Sequence, residues 1–244
     1  FYQRFEIGIE RLDAPHPRSL AALLRLGVPI GLSVLIEVTG FSFMAIFIAR
    51  LGETPVAGHQ IAANLVALLF MLPLGLSNGT STLVAQRIGA NDLADARRLG
   101  WHGWILTVGM AALVGSVVFA GREPILRLYT QHPQVIAAAL PLAAWVAVFH
   151  TADAAQTIAA FVLRSWRVAT WPLVIYAVAL WVIGLGGGYL VAFDDSGHMP
   201  AALHGARGFW ALASVGLVTA SIGLGLLMAW VTRRRGHEVA PIPR

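Results

Sequence analysis

The chain contains no cysteine and no lysine, and charged residues fill only 12% of its 244 positions. Without cysteine, disulfides, thiol catalysis and cysteine-based metal sites are excluded. Charge at about half the share found in soluble domains argues against a water-soluble fold. No HExxH spacing of a zinc hydrolase occurs. The first residues, FYQRFEIGIERLD, lack the apolar core and cleavage site of a secretory signal. They resemble the cytoplasmic end of a preceding segment, and the expectation is the C-terminal part of something longer.

Apolar residues make up 57% of the sequence. They gather into six runs, roughly 24–50, 55–87, 99–120, 134–163, 168–193 and 208–232, each long enough for the ~20 residues that span a hydrocarbon core. The expected fold is an all-α polytopic bundle of six transmembrane helices over 24–234. A linker with an interfacial helix (1–23) precedes it and a cytoplasmic tail (235–244) follows. The net charge of +5 could suggest a nucleic-acid partner, but all 17 basic residues are arginines whose placement says otherwise. With a cytoplasmic N-terminus and six spans, 13 arginines fall inside and only Arg50, Arg122, Arg127 and Arg207 outside. That asymmetry is the positive-inside rule, so both ends are expected in the cytoplasm, the partner is the lipid bilayer, and no nucleic acid is expected.

Against this background two acids stand out. Asp153 lies in VFHTADAAQTIAAFVLR and Glu37 midway along the first run. A carboxylate near the bilayer centre costs about 2.5–3.5 kcal/mol on insertion scales, so such residues generally face a partner or an aqueous cavity. His150, Asp153, Gln156 and Thr157 are spaced by three and four, which draws one polar stripe along an otherwise apolar helix. His150 so near an acid is a candidate for a proton relay. Glu37 can instead be a carboxylic acid joining two helices through a hydrogen bond. Gln60 and Asn64, four apart in the second run, share a face, and Pro73 precedes a small, polar second half that suits close packing or ligand contact. Within it, GLSNG (75–79) fits the G-x-S-x-G pattern of a serine hydrolase but lacks the strand before Ser77 and a nearby His–acid pair, so Ser77 is read as a packing residue. Asn91 or Asp92 is expected to cap a short amphipathic helix ending in Arg97 and Arg98. His102 is expected to be structural, and Pro133 to start the fourth span after an outer loop. Gly184, Gly186, Gly187 and Gly188 suit close packing or bending, not a dinucleotide fingerprint.

The stretch GETPVAGHQIAANLVALLFMLPLGLSNGTSTLVAQRIGANDLADARR (52–98) resembles the multidrug and toxic compound extrusion (MATE) family, NorM-type branch. The AxHQIAxN start, the MLPLGLSN centre and the VxQxxGAxDxxxARR end carry the likeness, which extends in outline over the whole chain. The resemblance implies one six-helix lobe of a twelve-helix, two-lobe transporter in a bacterial inner membrane, with the N-terminal lobe as its partner. It implies export of organic cations against H+ or Na+, no cofactor beyond that coupling ion, and no enzyme activity. Glu37 and Asp153 match acids that bind the proton or cation, with Na+ a possible occupant, and Asn64 matches a polar lining position. Phe149 falls where some relatives carry a tyrosine at the ion site. Gln60, His150, Gln156 and Thr157 are further lining or relay candidates, and Phe41, Phe43 and Trp145 are aromatics placed to meet a flat cation. A flippase-type transporter of lipid-linked saccharides is the nearest rival reading; an intramembrane hydrolase or a non-catalytic scaffold would be of another class.

Overall fold

The computed structural model describes residues 17–194 and 199–235. In chain order these form α1 (Pro17–Ala49), α2 (Glu53–Gly89), α3 (Leu93–Ala120), a short α4 (Arg122–Tyr129), α5 (Pro133–Ser165), α6 (Thr170–Ala192) and α7 (Ala206–Arg235). All but α4 are long and apolar enough to cross a membrane, and no strand occurs among the described residues. The bundle is therefore the expected six-span lobe, with differences at its joints. Residues 17–23, placed in an interfacial helix by the sequence, run without a break into α1. The rest of that linker, and 236–244 of the tail, lie outside the described residues.

The amphipathic segment before Arg97 is the opening of α3 itself, not a separate helix. Asp92 caps it by accepting the Asp95 N–H at 3.0 Å, and Arg87 pairs with Asp95 at 2.9 Å. Asn91 closes the preceding turn with φ of 59°, the left-handed region that asparagine tolerates. The loop expected after α3 contains α4, tied by Glu123 to Arg127 at 2.8 Å. Pro133 opens α5 in the first turn, where its missing N–H costs nothing.

Helix α5 is the axis of the lobe and packs against α2, α3 and α7. Its composition permits this. Alanines at 139, 143, 152, 154, 155, 159 and 160 are all buried, and small side chains let helix backbones approach closely where hydrocarbon provides no drive to associate. Every residue from Ala152 to Ala160 is buried, so α5 is surrounded at the level of Asp153. By contrast α1 lies at the edge, held by α6 and α2.

Helix α6 begins as an α-helix and widens into a π-helix over Ala177–Gly186 before closing again as an α-helix. Its glycines lie against α7: a Cβ at Gly184 would meet the Ala213 backbone, and one at Gly188 the Phe209 ring. The tightest approach is from the other side. A Cβ on Gly216 would collide with the carbonyl of Ala179 within the π segment. Gly216→Ala is therefore expected to destabilise the lobe by ~1–3 kcal/mol through overpacking. Gly109, with nothing within 4 Å, should tolerate alanine or gain ~0.5–1 kcal/mol from helix propensity. Thermal unfolding of both variants in detergent checks the contrast.

Candidate functional site

A cavity of about 590 Å³ opens between α1, α2, α5, α6 and α7. Glu37 of α1, Asp153, Thr157 and Arg164 of α5, and Tyr176 of α6 reach its wall, whereas α2 and α7 contribute only apolar side chains. On α5 the spacing of the stripe explains this, since Phe149, Asp153 and Thr157 recur every four residues and Arg164 lies about two turns farther on the same side.

Gln156, fully buried and absent from the cavity wall, joins the acids. Its Nε2 donates to Glu37 Oε1 at 2.8 Å and to Asp153 Oδ1 at 2.9 Å, with Thr157 Oγ1 at 3.1 Å. Its Oε1 accepts from the buried Tyr176 hydroxyl. The amide orientation follows from donor chemistry. An ionised carboxylate only accepts, so with both acids charged the NH2 faces them and the carbonyl faces the Tyr176 hydroxyl. Residues from α1, α5 and α6 thus meet in one hydrogen-bonded group.

The other candidates lie elsewhere. Gln60 and Asn64 were expected on the wall but are exposed; α2 turns Ala63, Val66, Ala67 and Phe70 to the cavity instead. Asn64 Oδ1 accepts from Tyr129 of α4 at 2.9 Å, which holds it toward that short helix. His150 is also off the wall, fully buried with both ring nitrogens unpartnered. Three residues before Asp153 on an α-helix, it points about 60° away from it. Among the aromatics, Phe41 and Phe149 do line the cavity, while Phe43 packs on Trp181 at 5.8 Å between ring centroids and Trp145 against the core. Ser77 sits in mid-helix, buried and without a hydrogen-bond partner, so the strand–turn–helix context of a hydrolase elbow is absent.

Two wall residues escape the sequence reading. Arg164, counted there as a cytoplasmic charge, lies over the Phe161 ring at 4.4 Å and extends into the cavity, as a long arginine stem allows. Tyr176 is hidden by its own chemistry, because a tyrosine in an apolar run reads as one more apolar residue; its only signal is a hydroxyl well inside a span. A third, His59, belongs to the AxHQIAxN segment. Its Nδ1 accepts from Trp210 Nε1 at 3.2 Å, and both rings are buried with Phe41 and Phe149 around them.

Two carboxylates with neutral oxygens around them suit a proton or a hard alkali cation. Among the described residues no group of three or more histidines and acids that could hold a metal ion occurs. A larger groove of about 750 Å³ between α3, α5 and α7 has no ionisable side chain on its wall.

A family model described as MatE matches residues 29–190. The chain belongs to this family. A probable multidrug resistance protein NorM of Aromatoleum aromaticum is 43% identical over 90% of the chain and 47% of that protein. Multidrug resistance protein MdtK of Photorhabdus laumondii is 33% identical over 94% of the chain and 49% of that protein. The crystal structure of the Vibrio cholerae MATE transporter VcmN in the bent form shares the fold with a TM-score of 0.81 at 20% identity, over 96% of the chain and 51% of VcmN. The chain therefore spans about half the length of the relatives it matches, one lobe of a NorM-type MATE protein. In this MATE lobe the His59–Trp210 bond is structural. His59→Leu would strand a buried indole N–H, and an expected loss of ~1–3 kcal/mol is measurable as a lower unfolding temperature.

Proposed function

We propose that the protein is a secondary active multidrug efflux transporter that exports organic cations in exchange for H+ or Na+ by alternating access. The observation that carries this reading is the pair of carboxylates, Glu37 and Asp153, brought from two helices to one largely apolar cavity and bridged there by Gln156. Export follows when a drug cation and the coupling ion compete for these acids while the lobes expose the cavity first inward and then outward. Phe41, Phe149 and Phe161 give the wall aromatic faces for a flat cation. The opposing N-terminal lobe closes the cavity, and the protein lies in a bacterial inner membrane with both ends of this chain in the cytoplasm. The names of the NorM and MdtK relatives agree with a multidrug role.

The saccharide flippase reading fits less well. An anionic lipid-linked substrate calls for a more cationic cavity, and here two acids outnumber the single Arg164 on the wall.

The test is ethidium efflux from proteoliposomes holding the full-length protein, under an imposed pH or Na+ gradient. Wild type is expected to follow one gradient, and Asp153→Asn to fall to the level of protein-free vesicles while still inserting. Undiminished gradient-driven efflux by Asp153→Asn would overturn the assignment.

A further inference from the structure

The bridge between the acids is asymmetric. Gln156 is fully buried, whereas Glu37 is half-buried and both acids reach the cavity wall. The amide therefore grips one oxygen of each acid from the protein side, and an incoming cation meets the pair from the cavity side. Its two N–H groups are committed to acceptors and its carbonyl to the Tyr176 hydroxyl. Nothing in that arrangement is left free to turn without breaking a buried hydrogen bond.

We propose that Gln156, oriented by Tyr176, is the positioning residue of ion exchange: it clamps Glu37 to Asp153 in the ion-free state and competes with the coupling ion for their charge. The proposal rests on the antiport reading above. Hydrogen bonds to ionised carboxylates are roughly twice as strong as neutral ones. The clamp is thus tightest when both acids are charged, and it slackens when a proton or cation neutralises one of them. Because linkage is reciprocal, a contact that the ion weakens must in turn weaken ion binding. The clamp consequently makes the ion easier to release and ties α1 to α5 and α6 until the ion arrives.

Placement on α6 adds a second observation. Tyr176 is the last residue before the π-helical segment Ala177–Gly186, and such wide turns are frequent at functional sites. The ionisable groups that face the acids are few. They are Arg164 on α5 and Tyr176 on α6; α2 and α7 face the cavity with apolar side chains alone, and His150 on α5 lies off the wall. The response of the site to the driving ion is therefore set by the two acids, the amide, Arg164 and Tyr176.

The experiment measures ethidium efflux by the full-length protein in proteoliposomes while the driving ion, Na+ or H+, is titrated. Gln156→Leu keeps the side-chain bulk and removes the clamp. Its half-saturating ion concentration is expected to drop by about tenfold, the order of one charge-assisted hydrogen bond, while the maximal rate falls because release slows. A merely structural defect would lower the rate without tightening the ion. Tyr176→Phe, which deletes one buried oxygen, should shift the half-saturation in the same direction by a smaller factor, and it keeps the test decisive if Gln156→Leu fails to insert. Half-saturation that is unchanged or weaker in the inserted variants overturns the clamp. Asp153→Asn in the same vesicles separates the two ideas: lost efflux there with unshifted clamp variants leaves antiport standing, and retained efflux removes antiport and clamp together.

Discussion

Two carboxylates withdrawn from water must find hydrogen-bond donors, and the arrangement of this lobe around Glu37 and Asp153 follows from that requirement. An uncompensated buried carboxylate is far more costly than a buried hydroxyl or amide. The donor that meets both is a single neutral amide, Gln156. A neutral donor satisfies the lone pairs without cancelling the charge, which leaves the pair attractive to a cation. An arginine in the same place would have neutralised the site outright. The one arginine on the cavity wall, Arg164, reaches it from about three turns beyond Asp153 along α5 and rests on Phe161.

The amide can stand there because α5 is enclosed. Every residue from Ala152 to Ala160 is buried, Gln156 fully so, and the alanines let α2, α3 and α7 close around the helix beside the cavity. Polar side chains in such a position are held in one geometry, since neither water nor headgroups offer an alternative partner. The same closeness appears between α6 and α7, where Gly216 admits the Ala179 carbonyl. Packing of small residues and satisfaction of the polar group are two parts of one solution.

How far the sequence reveals this depends on contrast. Glu37 and Asp153 are conspicuous because charge is rare in the runs around them, and the three-and-four spacing puts Gln156 and Thr157 with Asp153. The direction of the amide is a different matter: spacing gives the face of a helix but not the helix that lies opposite, so Glu37 and Asp153 could be read as a pair without their bridge being visible. Tyr176 blends into an apolar run. Arg164 counts as an inside charge by its position near a span end, although its stem is long enough to reach the wall. Asn64 sits at a plausible register for the cavity, but its partner Tyr129 belongs to α4, a helix too short to announce itself within an outer loop. The π segment leaves no trace because a span apolar on every face carries no periodicity whose change could be seen.

The two acid-bearing helices are unequally attached to the rest of the lobe. In a bilayer, packing between apolar helices gains little over packing against lipid, so a helix is held by close fit and by its polar contacts. Helix α5 has extensive neighbours on every side, whereas α1 touches mainly α6 and α2 and exposes Val34, Leu35, Val38 and Ile46. Trp181 donates to the Ile36 carbonyl at 3.0 Å, and Gln156 donates to Glu37 one residue later. Among the described contacts, these two are the side-chain hydrogen bonds that fasten the middle of α1 to the rest of the lobe. One depends on no titratable group; the other ends on a carboxylate. A change of charge at Glu37 therefore acts on one of the two side-chain hydrogen bonds that fasten the middle of α1, while among the described residues the packing of α5 against α2, α3 and α7 involves no titratable contact of that kind.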